Sequence, residues 1–125
     1  MAASLLLVDD EEDLLEVLQE YLTAQGCRVV TARTGREAVE RLGTSTPFDV
    51  ALVDWSLPDI GGREVVQAIR ERHPDCRVIV TTGHGAEVVS EGYGGQLGGN
   101  IVRKPFTMRT VATRVAMMLE KARSD

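Results

Sequence analysis

Short runs of apolar residues alternate along the chain with longer stretches of mixed composition. Residues 4–8 form one such run, continuous and ending in acids, which is typical of a strand buried on both faces of a parallel sheet. Comparable runs occur at residues 27–31, 49–53, 77–81 and 100–102. The pattern therefore predicts five strands.

Helical periodicity fills most of the intervals between these runs. Between residues 12 and 25, apolar side chains recur every three or four positions, so that one face of a helix is apolar. Thr34 and Glu37 have the spacing of a capping box at the start of a second helix. A third helix is expected to end before Pro74, which disfavours helical geometry in the preceding residue, and Thr107 caps a last helix.

The alternation of strands and helices decides the expected fold. It predicts an α/β fold with a doubly wound parallel sheet of five strands and helices on both faces. The ligand site of such a sheet lies at the carboxyl ends of the strands, where the strand order reverses. Segment 86–99 is less regular, since it holds five glycines, each of which would cost a helix about 1 kcal/mol. We therefore expect a degenerate fourth helix there.

Length and composition are those of an ordinary globular domain. The 125 residues suffice for one core, and we expect a single domain over residues 1–125. The net charge of −5 argues against direct contact with nucleic acid, which requires basic surfaces. No run is long enough for membrane insertion and no secretory pattern is present, so a cytoplasmic location is expected. Cys27 and Cys76 lack metal-site or disulfide spacing and are interpreted as small buried hydrophobic residues.

Acids follow two of the predicted strands. Asp9 and Asp10 come after the first strand and Asp54 after the third, so their carboxylates are expected to converge at one edge of the sheet. Converging carboxylates repel one another unless they protonate or share a hard cation, and an oxygen-only site with room for water suits Mg²⁺. Asp9, Asp10 and Asp54 are therefore the predicted metal ligands. The acids at positions 11–13 are interpreted instead as favouring a helix N-terminus through its dipole.

Two further side chains follow neighbouring strands at the same edge. Thr82 comes after the fourth predicted strand and Lys104 after the fifth. Either residue alone would be an ordinary polar residue at a strand end. Beside three carboxylates, a hydroxyl and an ammonium group supply the positioning and charge neutralisation that phosphoryl transfer requires.

Four stretches of the sequence resemble, in order and spacing, the landmarks of response-regulator receiver domains of two-component signalling. The resemblance covers essentially the whole chain and implies the flavodoxin-like receiver fold. The joint match is specific, whereas none of the stretches alone would identify a family. The four stretches are residues 5–11, 53–58, 80–83 and 104–106.

The resemblance also implies roles in phosphoryl transfer. Asp54 would be the phosphoacceptor, taking a phosphoryl group from a partner histidine kinase or histidine phosphotransfer protein. Lys104 would pair with the phosphoryl oxygens. Thr82, rather than Thr81, would be the switch hydroxyl, because a small residue, Gly83, follows it.

For the metal, the resemblance implies that Asp9 and Asp10 help to hold Mg²⁺ and that the backbone carbonyl of Ser56 completes its shell. Ile101 stands where the family often has an aromatic residue, which questions the aromatic coupling common in the family. The glycine-rich segment and residues 103–107 are similar to receivers attached to hybrid histidine kinases. Whether the chain is an excised receiver or a stand-alone regulator stays open, as does homodimer formation.

Two other functions fit parts of the pattern. A Mg²⁺-dependent phosphohydrolase also uses a strand-end aspartate as nucleophile, but it needs a second aspartate as general acid, where this chain has Ser56, and a cap domain. A receiver-shaped interaction module without phosphorylation would not need Asp54, Thr82 and Lys104 together. We therefore expect a phosphorylation switch with self-catalysed phosphorylation and dephosphorylation, and not a turnover enzyme.

The glycine-rich segment generates a first prediction. Residues 86–99 are expected to form at most a short helical turn, to exchange amide hydrogens quickly, and to become more protected when Asp54 is phosphorylated. The reason is that the added charge at Asp54 would draw Thr82 and Lys104 inward and order the adjoining segment. Peptide-resolved hydrogen exchange with and without a phosphoryl mimic measures this. Strong protection before activation, or no change after it, would mean that the signal leaves by another surface.

Overall fold

Strands and helices alternate along the part of the chain that the computed structural model describes, residues 2–44, 47–83 and 100–124. The prediction for segment 86–99 lies outside these residues. The elements within them are β1 Ser4–Val8, α1 Glu12–Ala24, β2 Arg28–Ala32, α2 Gly35–Thr44, β3 Val50–Asp54, α3 Gly62–Arg72, β4 Arg77–Thr82, β5 Ile101–Arg103 and α4 Met108–Ser124.

The strands form one parallel sheet in the order β2-β1-β3-β4-β5. The chain runs outward from β1 to β2, crosses back to β3 on the other side of β1, and continues outward to β5. The strand order therefore reverses between β1 and β3, the place where open α/β sheets bind ligands. The predicted doubly wound five-stranded sheet is confirmed.

Four strands, β2 to β5, end one residue later than the sequence pattern predicts. The ladder between β3 and β4 includes Asp54 opposite Thr81, and the ladder between β4 and β5 includes Thr82 opposite Arg103. Backbone pairing continues through these polar residues because the ladder depends on backbone N–H and C=O groups and not on apolar side chains. The residues expected just beyond the strands thus have their backbones fixed within the sheet.

The sheet separates two apolar cores. Helices α1 and α4 pack on one face, and α2 and α3 pack on the other. Each strand contributes alternate residues to the two cores, as the pleat requires. Among the described helices, none is long and apolar enough to cross a bilayer. The buried residues on the α1 and α4 face are Leu5, Leu7, Leu15, Leu18, Leu22, Val50, Leu52, Ile79, Val102, Val111, Val115 and Met118.

Two predicted helix caps are confirmed by hydrogen bonds. The Thr34 hydroxyl accepts the Glu37 N–H at 3.1 Å, while the Glu37 carboxylate reaches back to the N–H of Arg33 at 3.4 Å, one residue before the position expected for a capping box. The Thr107 hydroxyl accepts the Thr110 N–H at 3.1 Å at the start of α4. Side chains thus satisfy amides that would otherwise lack partners at both helix starts.

The end of α1 is also as expected. Gly26 has φ +93° and its N–H donates to the Thr23 carbonyl at 2.9 Å, so it takes the left-handed conformation that stops a helix.

Cys27 and Cys76 are free and only partly buried, not fully buried as predicted. Burial nevertheless raises the pKa of the Cys76 thiol to about 12, with a smaller contribution from Asp49. Neither thiol is therefore expected to be reactive.

His73 has a structural role that sequence reasoning did not assign to it. It follows α3, with non-helical φ −130° before Pro74, and its side chain is buried. Its Nδ1 accepts the Phe48 N–H at 3.3 Å and its Nε2 lies 3.0 Å from the Leu42 carbonyl. An Nδ1 that accepts leaves the proton on Nε2, which donates to Leu42. The ring therefore joins α3 to the end of α2 and to the start of the segment leading into β3.

We predict that His73→Ala lowers the free energy of unfolding by about 2–3 kcal/mol. Removing the ring leaves the Phe48 N–H and the Leu42 carbonyl without this partner and opens a cavity beside Phe48. Urea unfolding followed by circular dichroism measures the loss. Asp75→Ala, at an exposed position two residues along the chain, serves as the control and should change stability by less than about 0.5 kcal/mol. Equal stability of the two variants would contradict this role.

Candidate functional site

Three charged side chains reach one face of the sheet at its carboxyl edge. Asp9, Asp54 and Lys104 each come two residues after a strand residue that packs in the core beside α1 and α4. Because side chains alternate along a strand with a period of two, all three project to that same face. The strand residues that precede them are Leu7, Leu52 and Val102.

The predicted carboxylate cluster is present. Asp9, Asp10 and Asp54 each offer an oxygen, and these oxygens lie within 4.8 Å of one another. Asp9 and Asp54 are both only 4% exposed, while Asp10 is exposed. Charges this close in a partly buried place repel one another strongly. The cluster therefore needs positive charge from elsewhere.

Lys104 supplies part of that charge. Its Nζ lies 2.8 Å from Asp9 Oδ2 and 3.3 Å from Asp54 Oδ2, with 19% of the side chain exposed. Burial by itself lowers the pKa of Lys104, but the hydrogen bond and charge of Asp9, followed by those of Asp54, outweigh it and raise the pKa. The ammonium group therefore stays protonated and bridges the two buried carboxylates.

The charge of Asp54 is only partly compensated. Desolvation raises its pKa most, the Ser56 N–H lowers it, Asp9 raises it and Lys104 lowers it, and the net shift is upward. The Ser56 N–H donates to Asp54 Oδ1 at 3.1 Å, while Lys104 occupies Oδ2. Ionised Asp54 is thus held in a fixed orientation in an environment that disfavours its charge.

The oxygen donors of this cluster fit the Mg²⁺ predicted from sequence. Three carboxylates converge, and the exposure of Asp10 leaves room for the waters that Mg²⁺ keeps in protein sites. The cluster holds no sulfur or imidazole ligand among the described residues, which disfavours the softer transition metals. Ser56, the fourth predicted ligand, lies on an exposed part of the loop after β3.

Thr82 lies beside the cluster but on the other face of the sheet. Ile79 belongs to the core beside α1 and α4, so alternation directs Thr81 to the face of Asp54 and Thr82 to the opposite face. Thr82 is fully buried at the end of β4, and its carbonyl accepts the Lys104 N–H at 2.8 Å. The backbone therefore couples Thr82 to Lys104. The switch role of the Thr82 hydroxyl stays a prediction.

Two acids near the site were not assigned to it from sequence. Glu11, interpreted as a helix-terminus residue, has its Oε1 3.8 Å from Lys104 Nζ, and its N–H donates to Asp9 Oδ1 at 2.9 Å. Asp59, in the loop after β3, accepts hydrogen bonds from the first two residues of α2. A run of acids after β1 pointed to Glu11, but no local pattern marks Asp59.

Comparison with known sequences identifies relatives of this chain. Residues 5–116 match the family described as response regulator receiver domain. The photosynthetic apparatus regulatory protein RegA of Cereibacter sphaeroides is 42% identical over 83 residues, covering 66% of this chain and 45% of RegA. The response regulator SaeR of Staphylococcus aureus is 30% identical over 118 residues, covering 94% of this chain and 50% of SaeR. The chain thus spans about half the length of the curated relatives it matches.

Solved structures share the fold. A CheY-like response regulator receiver domain protein from Methanospirillum hungatei superposes with a TM-score of 0.91 at 23% identity, covering 99% of this chain and 98% of that one. At that identity the likeness concerns the fold alone. The response regulator protein TrrA of Thermotoga maritima, solved in complex with Mg(2+)-BeF, gives a TM-score of 0.80 at 28% identity, covering 94% of this chain and 99% of TrrA.

The raised pKa of Asp54 generates a prediction about stability. A raised pKa means that the folded chain holds a proton at Asp54 more tightly than the unfolded chain does. The cost of ionising Asp54 is therefore absent below the unfolded pKa of about 3.9 and complete above the folded pKa. Asp54→Asn should raise the free energy of unfolding at about pH 7 without magnesium, and the gain should vanish by about pH 3.

Denaturant unfolding at a series of pH values, in buffer with a chelator, measures this difference. Asp75→Asn removes an exposed acid at the opposite edge of the sheet and should leave stability nearly unchanged at every pH. A destabilised Asp54→Asn variant would show that Lys104 more than compensates the buried charge.

Proposed function

Because the chain belongs to the response regulator receiver domain family, we propose that Asp54 is its phosphoacceptor in a two-component phosphorelay. The observation that carries this proposal is the position of Asp54, which shares Lys104 with Asp9 at the carboxyl edge of the sheet. The role is supported further by the Ser56 N–H, which fixes one carboxylate oxygen of Asp54. This arrangement presents an oriented nucleophile beside a cation.

The reaction that these groups support is transfer from a phosphohistidine. A carboxylate oxygen of Asp54 attacks phosphorus, the P–N bond breaks, and the histidine nitrogen leaves with the bonding electron pair. The product is an acyl phosphate on Asp54 and a free imidazole on the partner. Lys104, already 3.3 Å from Asp54 Oδ2, is placed to neutralise charge on the transferred phosphoryl oxygens.

Asp9, Asp10 and Asp54, with the backbone carbonyl of Ser56, are the groups proposed to hold Mg²⁺. When bound, Mg²⁺ would neutralise the charge that accumulates between the carboxylates and the phosphoryl group. Asp10 is exposed and can bind the ion without giving up a partner among the described hydrogen bonds. Asp9 is already engaged by Lys104 and by the Glu11 N–H, so it would share its carboxylate between these partners and the ion.

The phosphodonor is proposed to be a histidine kinase or a histidine phosphotransfer protein. An open groove of about 310 Å³ lies beside the acceptor, lined by Glu11, Leu14, Lys104, Pro105 and Phe106. Its wall is largely apolar, and Lys104 connects it with Asp54. A protein surface that presented its phosphohistidine at Lys104 could cover the apolar wall at the same time.

The domain is proposed to act as a switch with self-catalysed phosphorylation and hydrolysis, and not as a turnover enzyme. Ser56 stands two residues after Asp54, where a phosphohydrolase of the kind considered above needs a second carboxylate as general acid. Its N–H orients Asp54 instead. Phosphorylation would add charge beside Lys104 and so compete with Asp9 for its ammonium group.

The output part of the protein and its location in the cell are also proposals. Since the matched residues cover only 45% of RegA and 50% of SaeR, any output activity would lie in a further part of a longer protein or in a separate target. A cytoplasmic location fits Cys27 and Cys76, which are free thiols and would stay reduced there.

The central test is phosphorylation by a small donor. Acetyl phosphate with Mg²⁺ should add one phosphoryl group to the wild-type chain, seen by intact mass, and a chelator should prevent it. Asp54→Asn should abolish the gain, because the amide cannot form the acyl phosphate. An unchanged wild-type mass, or an equal gain in Asp54→Asn, would contradict the assignment.

Hydrogen exchange of the phosphorylated chain separates the two threonines. Thr82→Ala should still accept the phosphoryl group but lose the change in hydrogen exchange that follows, whereas Thr81→Ala is the matched control. If Thr81→Ala alone removes that change, the hydroxyl on the face of Asp54 is the switch residue.

A further inference from the structure

Asp59 joins the loop after β3 to the N-terminus of α2. Its Oδ1 accepts the Gly35 N–H at 2.8 Å and its Oδ2 accepts the Arg36 N–H at 2.9 Å. These partners lie 24 and 23 positions earlier in the chain. Both carboxylate oxygens are thus committed to the backbone of another element.

These two bonds complete the hydrogen bonding at the start of α2. The first amides of a helix have no partner within it. Thr34 supplies an oxygen to the Glu37 N–H at 3.1 Å, and Asp59 supplies the two that Gly35 and Arg36 need. One half of the cap is therefore local in sequence, while the other half comes from the loop.

Ile60 adds an apolar contact at the same place. A Cβ built on Gly35 would come within 2.2 Å of Ile60 Cγ1 and 3.2 Å of the Ile60 carbonyl oxygen. Only glycine allows this close approach between the loop and the helix. The loop is therefore attached to α2 by close packing of Ile60 on Gly35 as well as by the two hydrogen bonds.

At its other end the loop is attached to the acceptor. The Trp55 N–H donates to the Thr81 carbonyl at 2.9 Å, and the Ser56 N–H donates to Asp54 Oδ1 at 3.1 Å. The residues between Ser56 and Asp59 span the gap between these bonds and α2. The direction of the Ser56 peptide is thus set from both ends.

We propose that Asp59 is a positioning residue for the phosphoacceptor site: by holding the loop on α2, it fixes the Ser56 peptide against Asp54 and thereby sets the affinity for Mg²⁺. The inference rests on the proposed function, since it concerns the ion that accompanies phosphorylation. Asp59 is not among the groups proposed to hold the ion or to contact the phosphoryl group.

The charge of Asp59 supports this role. Desolvation raises its pKa, but the N–H groups of Arg36 and Gly35 outweigh it and hold the pKa at about 2. The carboxylate therefore remains ionised at every pH at which a divalent cation binds, and charge-assisted bonds to backbone amides are stronger than neutral ones.

The test measures Mg²⁺ binding through the fluorescence of Trp55, the only tryptophan in the chain and the neighbour of Asp54. Asp59→Ala should raise the Kd for Mg²⁺ about tenfold, the lower end of what outer partners of metal ligands contribute. Asp59→Asn keeps the shape and one acceptor oxygen, so its Kd should lie between those of wild type and Asp59→Ala. If Asp59→Ala does not fold, the Kd of Asp59→Asn alone shows whether Asp59 affects Mg²⁺ binding.

Two controls separate positioning from general loss of stability. Thr34→Ala removes the local half of the same cap without touching the loop, so it should lower the thermal midpoint yet change the Kd less than about twofold. Asp75→Asn removes one exposed negative charge at the opposite edge of the sheet and should change neither quantity.

The outcomes bear on distinct claims. If Thr34→Ala weakens Mg²⁺ binding as much as Asp59→Ala does, or if both Asp59 variants bind as wild type does, Asp59 is not a positioning residue, while the proposed function stands. If wild type binds no Mg²⁺, the metal site of the proposed function is itself wrong, and the inference is overturned with it.

Discussion

Repulsion between carboxylates at one edge of the sheet is the interaction on which the rest of the site depends. Asp9 and Asp54 are each 4% exposed, so water screens their charges poorly. Lys104 bridges them, but one ammonium group cannot balance three carboxylates. Burial first, and the charge of Asp9 after it, raise the pKa of Asp54 in spite of Lys104. The site therefore favours added positive charge of the kind that the proposed divalent cation would supply.

The parallel sheet brings these charges together by a simple rule of parity. Asp9 follows β1, Asp54 ends β3 and Lys104 follows β5. Each lies two positions beyond a residue of the core beside α1 and α4. A slip of one residue in any of these strands would turn its charged residue to the other face. The packing of two apolar cores therefore fixes the chemistry at the edge, even though no core residue takes part in it.

The predictions that succeeded rest on local patterns. Apolar runs identified the five strands, and the acids after them identified the cluster, because strand ends of a parallel sheet must meet. The residues that were missed depend on distant parts of the chain. His73 contacts Phe48 and Leu42, 25 and 31 positions away, and Asp59 contacts α2 across 23 or more. Nothing in the neighbouring sequence of either residue signals those contacts, and the roles in phosphoryl transfer stay predictions.

The contact between Gly35 and Ile60 has a consequence for how this sequence can change over time. A side chain at position 35 would collide with Ile60, and a larger group at position 60 would press on the backbone of α2. Position 35 therefore cannot gain a side chain while Ile60 is present, whereas position 60 can lose bulk first. Among descendants of this chain, a residue with a Cβ at position 35 should become acceptable only after position 60 has lost bulk, so the order of the two substitutions is constrained.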